Sequence, residues 1–146
     1  MDQPTAEQSS IWETLQVGDD LGSFRYLMTA EMIGNYRRVV ENPQAAYPTV
    51  AGRHPARLVF NRYGRALRVP NAGQDCQYFN PPRPGKWITV SGRVADKYIR
   101  RGKRYLIVEA TAVDEDGRLI ETCRLVGLAS EAGEPALKEV AHKWQG

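Results

Sequence analysis

Apolar residues alternate with polar ones in three long segments of the second half of the chain. Over residues 87–98 one face carries Ile88, Val90, Gly92 and Val94. Residues 104–114 are apolar on both faces, and residues 118–129 return after Asp116-Gly117, a pair that favours a tight hairpin turn. Because period-two alternation is typical of strands, the pattern predicts three consecutive antiparallel strands.

The first half of the chain shows helical spacing after a short alternating segment at residues 23–28. Thr29 is a good N-cap, and the apolar residues that follow it at helical spacing are Met32, Ile33, Tyr36, Val39 and Val40. Asn42-Pro43 ends that helix. A second helix is predicted within residues 55–68, and another strand over 74–79. This order of elements predicts an α+β domain whose antiparallel sheet wraps around a helix.

The length of 146 residues suits one domain with a sizeable core. We predict a flexible N-terminus over residues 1–10, one domain over 11–129 and a polar tail over 130–146. The apolar and charged fractions, 42% and 25%, are those of a soluble globular protein. No apolar run approaches the roughly 20 residues that a membrane span needs, and the polar first residues argue against a signal peptide.

Cysteine and histidine are too few and too scattered to predict a metal site. Cys76 and Cys123 lie far apart in the chain, and His54 and His142 do not complete a cluster with them. Two such cysteines are more often separate buried thiols than a disulfide, which favours a reducing cytoplasm. We therefore expect no metal, two free thiols and a cytoplasmic location.

The net charge of +3 is unevenly distributed along the chain. Arg100, Arg101, Lys103 and Arg104 form one basic cluster, and five further arginines lie between residues 53 and 68. A solvated face is the simplest interpretation of both. Because no nucleic-acid-binding motif accompanies them, we expect no nucleic-acid partner. The alternative is a small phosphate-bearing ligand or an acidic carrier protein, which would need only a few arginines.

Several short motifs follow one another along the chain, and their order and spacing are informative. They are Trp12-Glu13 with Val17-Gly18-Asp19, Thr29-Ala30-Glu31-Met32-Ile33 with Tyr36, Asn42-Pro43, Pro84-Gly85 before Trp87-Ile88-Thr89-Val90, the segment 96–103 and the segment 114–117. Over about residues 11–128 they resemble the MaoC-like enoyl-thioester hydratase/dehydratase family, with its fatty-acid-synthase-type dehydratase relatives. The resemblance implies a single hotdog domain, a sheet wrapped around a central helix.

The resemblance also implies a substrate class and a partner. The substrate would be an acyl thioester of coenzyme A or acyl carrier protein, in fatty-acid or polyketide metabolism, with no further cofactor. Exposed sheet edges in such a fold need cover, which implies a homodimer or a heterodimer with another hotdog chain.

The chain departs from this family at its catalytic dyad. Active members carry an aspartate and a histidine where this sequence has Val40 and Ala45. Neither side chain can exchange a proton, so the usual acid–base pair is absent. Glu41 adjoins the first position, but one residue along a helix rotates a side chain by about 100°.

His54 is the histidine within the predicted domain, and it precedes the central helix. His54 either packs against the core or caps the helix there. Alternatively, it transfers protons together with Glu41 or Tyr47. Asn42 either hydrogen-bonds a thioester or holds the turn after the first helix. Arg100, Arg101 and Lys103 either end a strand or, as the resemblance implies, contact a pantetheine phosphate.

Three functions therefore stay open. The first is a lyase that reversibly hydrates 2-enoyl thioesters or dehydrates 3-hydroxyacyl thioesters. The second is a catalytically silent hotdog subunit that pairs with an active partner. The third is a hotdog recruited to thioester hydrolysis or to cyclisation in a biosynthetic pathway, since a fold alone does not fix chemistry.

Overall fold

A computed structural model describes residues 10–39 and 53–132 of the chain. The elements in chain order are α1 (Ile11–Thr14), β1 (Asp20–Met28), α2 (Ala30–Val39), α3 (His54–Tyr63), a 3-10 turn (Gly64–Ala66), β2 (Leu67–Arg68), β3 (Asn71–Tyr78), β4 (Lys86–Arg100), β5 (Lys103–Asp114), β6 (Leu119–Leu128) and β7 (Ser130–Glu131). The predicted strands and the two predicted helices are all present, with ends shifted by a few residues.

The main sheet has five strands in the order β1-β4-β5-β6-β3, and every neighbouring pair is antiparallel. β2 and β7 form a separate two-stranded ribbon. The predicted α+β architecture with an antiparallel sheet is confirmed. Ser130 and Glu131, the first residues of the segment predicted as a tail, belong to that ribbon.

The core lies between α3 and one face of the sheet. Leu58 and Val59 of α3 are buried against apolar side chains of the long strands. Those side chains are Ile88, Val90, Val94, Leu106, Val108, Ala110 and Ala112. The opposite face carries charged pairs such as Arg93–Glu109 and Arg124–Glu109. Alternation along β4 and β6 therefore separates a helix-facing side from a polar outer side.

Two tight turns hold the long strands in register. Between β4 and β5, Arg101 and Gly102 both have positive φ, 53° and 76°, the pattern of a two-residue hairpin turn. Between β5 and β6, the carboxylate of Asp114 accepts the backbone N–H groups of Asp116 and Arg118 at 2.9 and 3.0 Å. The sequence signal at Asp116-Gly117 therefore marks a real turn, and Asp114 organises it.

The helix starts are fixed by side chains that accept backbone N–H groups. Thr29 Oγ1 accepts the N–H of Met32 at 3.1 Å, which confirms Thr29 as the N-cap of α2. At α1, the carboxylate of Glu131 accepts the N–H of Ile11 at 2.8 Å. This contact ties the start of the domain to β7, 120 residues along the chain.

The expectation of two separate cysteine thiols is wrong. Cys76 of β3 and Cys123 of β6 are paired residues in the sheet, and they are joined as a disulfide with a Cα–Cα distance of 4.1 Å. The two cysteines are 47 residues apart in the chain, and they become neighbours because β3 pairs with β6. The inference of a reducing compartment rested on free thiols, so it loses that support.

Candidate active site

The centre of the candidate site is His54, the first residue of α3, whose imidazole contacts two other polar side chains. Nε2 of the ring lies 3.0 Å from the hydroxyl of Tyr26. Nδ1 lies 3.1 Å from Oε1 of Glu121. His54 and Glu121 are each 4% exposed, and Tyr26 is partly exposed. The three side chains form a continuous carboxylate–imidazole–phenol chain, called here the Glu121–His54–Tyr26 chain.

The fold brings these residues together because the sheet curls around the start of α3. Tyr26 lies on β1 opposite Ile88 of β4, and Glu121 lies on β6 opposite Ala112 of β5. In the sheet, β4 and β5 separate β1 from β6. A flat sheet would hold Tyr26 and Glu121 about three strand spacings, or about 14 Å, apart. Both reach one imidazole ring because the sheet wraps the helix.

The charges in the Glu121–His54–Tyr26 chain determine which nitrogen and oxygen atoms of these three side chains carry protons. Burial raises the pKa of Tyr26, and the nearby Glu121 carboxylate raises it further, so the phenol keeps its proton. An ionised Glu121 can only accept, so Nδ1 of His54 carries the proton in that hydrogen bond. Nε2 of the neutral ring then accepts from the Tyr26 hydroxyl. The oxygen of Tyr26 keeps a lone pair that can accept a further hydrogen bond.

Aromatic rings surround the imidazole on the side of β1. The ring of Phe24 meets that of His54 edge-on, with centroids 6.0 Å apart, and stacks with Tyr26 at 6.3 Å. The guanidinium carbon of Arg57 lies 5.1 Å from the Phe24 centroid. An apolar wall of this kind reduces solvent screening, so charges in the site interact more strongly than they would in water.

An apolar groove runs beside α3 and the segment that follows it. Its volume is about 440 Å³. The groove is lined by Ala56, Val59, Phe60, Gly64, Leu67 and Val69, with Arg65 and Arg68. Ala56 lies in the first turn of α3, and Phe60 is 57% exposed. The groove is therefore an open, mostly apolar surface whose lining extends from Ala56 of α3 to Val69.

Of the residues predicted for proton transfer, the structure places His54 and leaves its predicted partners outside the described residues. Glu41, Asn42 and Tyr47 all fall between residues 40 and 52, as do Val40 and Ala45. Their roles stay predictions. The observed partners of His54 are Tyr26 and Glu121 instead.

The predicted phosphate contacts lie at the other end of the sheet. Arg100 pairs with Lys103 beside the β4–β5 turn that contains Arg101. Tyr26 lies opposite Ile88, near the start of β4. The stretch of β4 from Ile88 to Arg100 spans about 40 Å of extended backbone. Within the chain, therefore, the basic hairpin tip and His54 are far apart.

Sequence reasoning missed Tyr26 and Glu121 as functional residues. Tyr26 was predicted only as part of the alternating strand at residues 23–28. Glu121 shares a face of β6 with buried Cys123 and Leu125. A glutamate at a core-facing position is rarely buried without a partner. That period-two position was the signal that would have identified Glu121.

Neither a metal site nor a membrane helix occurs among the described residues. Across 10–39 and 53–132, no three His, Cys, Asp or Glu side chains are grouped so that they could hold a metal ion. No helix in those ranges is long and apolar enough to cross a membrane.

Comparison with known proteins identifies the fold. No protein-family profile and no curated protein matches the sequence. Among solved structures, a MaoC-like dehydratase from Rhodospirillum rubrum has a TM-score of 0.62 at 18% identity, covering 84% of this chain and 97% of the other. A hot-dog-like protein from Thermanaerovibrio acidaminovorans has a TM-score of 0.64 at 12% identity, covering 92% and 96%.

A third match is a complex of two different chains. It is the C-terminally truncated HadBC complex of Mycobacterium tuberculosis, a 3R-hydroxyacyl-ACP dehydratase, with a TM-score of 0.59 at 10% identity, covering 77% of this chain and 96% of the other. Identities this low establish architecture, and the sheet wrapped around α3 agrees with it. The chain therefore has the hotdog fold.

Proposed function

We propose that the protein binds an acyl thioester of coenzyme A or acyl carrier protein and reversibly hydrates its 2-enoyl form to the 3-hydroxyacyl form. The observation that carries this proposal is the Glu121–His54–Tyr26 chain at the start of the wrapped helix, in which His54 and Glu121 are buried. The sequence resemblance and the dehydratases among the structural matches support the substrate class.

Hydration of an enoyl thioester needs a base for water, an acid for the α carbon and donors for the enolate oxygen. An imidazole can take a proton and return it, and Glu121 stabilises the imidazolium that forms in between. The first turn of an α-helix has N–H groups without intrahelical acceptors, so the residues of the first turn of α3 other than Pro55, which has no N–H, offer donors for the enolate oxygen. His54 is in that first turn.

The groove beside α3 suits the acyl chain. Its lining is mainly apolar, and burial of each methylene contributes about 0.8 kcal/mol. In this proposal the thioester end of the acyl chain lies toward the N-terminal end of α3, where Ala56 is two residues from His54. If Arg100, Arg101 and Lys103 contact the pantetheine phosphate, they do so from a second subunit, because the tip of their own hairpin is distant.

The experiment is a hydration assay on the purified chain with crotonyl-coenzyme A and longer 2-enoyl thioesters. We expect loss of the enoyl absorbance and a product heavier by one water. Release of free coenzyme A thiol would instead indicate thioester hydrolysis, and unchanged substrate would contradict an active hydratase.

A silent subunit is the second candidate, because the sequence resemblance implies Val40 and Ala45 at the dyad positions and HadBC is a complex of related fold. In that case the chain would pair with a hotdog chain that carries the aspartate and histidine. Co-expression with such a chain tests this candidate by light scattering and activity. A stable heterodimer that is active while this chain alone is inactive would support it.

A further inference from the structure

We propose that Tyr26 is the catalytic group that carries the proton between His54 and the reacting ligand, and that Glu121 is the positioning residue that fixes the tautomer of His54. This inference rests on the proposed hydration for its kinetic test. It goes beyond the family-like dyad, because the positions of Tyr26 and Glu121 correspond to neither of its members.

The first step of the argument is that both nitrogens of His54 are occupied. Nδ1 contacts Glu121 and Nε2 contacts Tyr26, and the ring is 4% exposed. A substrate or water molecule therefore cannot approach His54 without displacing a hydrogen-bond partner. Tyr26 is partly exposed and its hydroxyl is the terminal group of the three, so we assign it as the group that meets the ligand.

The second step concerns the direction of the hydrogen bonds. With Glu121 ionised, protons sit on Nδ1 and on the Tyr26 hydroxyl, and Nε2 accepts. The Tyr26 oxygen can then accept a proton from water while its own proton passes to Nε2. The phenol itself never carries a full negative charge, which agrees with the raised pKa of Tyr26.

The hydration step balances through this relay. The water oxygen bonds to C3 of the enoyl thioester while one water proton moves to Tyr26 and the Tyr26 proton moves to His54. The π electrons between C2 and C3 shift into the thioester enolate. C2 then takes a proton from Tyr26, and His54 returns its proton to Tyr26. One water is added, and the Glu121–His54–Tyr26 chain ends in its starting state.

The third step explains the buried carboxylate. An unpaired buried imidazolium would be costly, whereas Glu121 at 3.1 Å compensates its charge. Apolar residues at positions 54 and 121 would stabilise a core about as well as this pair, even when the pair is charged. A proton relay is therefore a reason to keep both groups that packing does not supply.

The kinetic arm of the test uses two conservative variants and two matched controls. Tyr26→Phe keeps the ring and removes the hydroxyl, and we expect kcat to fall by on the order of 10²–10⁴ with KM nearly unchanged. Glu121→Gln should also lower kcat more than KM. Tyr98→Phe at the far end of the sheet and Glu109→Gln on its outer face should keep wild-type kinetics. Wild-type kcat in Tyr26→Phe would overturn the proposal.

The spectroscopic arm does not depend on hydratase activity. The chain has two histidines, so His142→Gln leaves His54 as the source of imidazole ¹⁵N signals. In the neutral ring we expect a protonated Nδ1 and an unprotonated Nε2, and a shifted Nε2 resonance after Tyr26→Phe.

Each outcome of the two arms decides a different question. If the protein is inactive on every thioester but His54 shows this tautomer, the proposed hydration is refuted. The hydrogen-bond directions on which the relay depends are then supported. A protonated Nε2 in the neutral ring, or an Nε2 resonance that ignores Tyr26→Phe, refutes the relay whatever the activity.

Discussion

Leu58 of α3 occupies the space that a side chain on Gly92 of β4 would need. A Cβ atom built on Gly92 would lie 2.5 Å from Leu58 Cδ1 and 2.5 Å from the backbone oxygen of Glu109. The absence of a side chain at position 92 therefore lets the helix approach the centre of the sheet. This close approach is part of what allows β1 and β6 to reach the start of α3 from opposite sides.

Gly92→Ala should destabilise the fold, because the new methyl group meets a backbone atom that cannot move away cheaply. We expect the free energy of unfolding to fall by about 1–3 kcal/mol in urea denaturation. Gly34→Ala is the matched control, since its nearest neighbour is a flexible Arg38 atom at 3.9 Å within α2. That control should be neutral or stabilising by up to about 1 kcal/mol. Equal behaviour of the two variants would refute the packing described for Gly92.

Asp114 should make stability depend on pH in the acid range. Burial alone would raise the pKa of Asp114, but the N–H groups of Arg118 and Asp116 and the guanidinium of Arg83 hold it below its usual value. A lowered folded-state pKa contributes stability above the unfolded value of about 3.9, and this stability is lost as the pH falls through the folded value. Asp114→Asn should therefore be less stable than wild type at pH 7 and differ less at pH 3. The control is the exposed Asp75→Asn, and a constant difference across pH would contradict the assignment.

Reduction of the Cys76–Cys123 disulfide should lower stability by about 2–4 kcal/mol, because the link restricts the unfolded chain. Thermal unfolding with and without reductant measures the effect, and a thiol titration of the unfolded, unreduced protein should find no free cysteine. The Cys76→Ser/Cys123→Ser double variant should not respond to reductant. Two titratable thiols in unreduced protein would restore the original expectation of separate cysteines.

Ala56→Phe should shorten the acyl groove without disturbing the core, because Ala56 is exposed on α3. We expect kcat/KM for long-chain enoyl thioesters to fall at least tenfold while that for crotonyl-coenzyme A changes little, since each lost methylene contact is worth about 0.8 kcal/mol. Asn61→Phe, an exposed position of α3 outside the groove lining, is the control. A uniform loss across chain lengths would show that the acyl chain lies elsewhere.

The architecture was predictable from the sequence because its signals are local. Alternation marked the long strands, Asp116-Gly117 marked a hairpin, and Thr29 marked a helix start. The candidate site was only partly predictable, because its residues meet through the curl of the sheet. His54 was identified as a proton-transfer candidate, but Tyr26 is 28 residues away in the chain and was predicted only as part of a strand. The prediction for the two cysteines was wrong for the same reason, since the order of strands in the sheet decides which residues face each other.

The measurement that tests the account most directly is hydration of crotonyl-coenzyme A by wild type, His54→Ala, His54→Gln and Glu41→Gln, each first shown to be folded by circular dichroism. With His54 as the proton acceptor, we expect both His54 variants to lose activity by on the order of 10²-fold or more. Glu41→Gln should lower activity less. Ordinary enzymatic hydration by the wild type that survives unchanged in His54→Ala would contradict the assignment of the site.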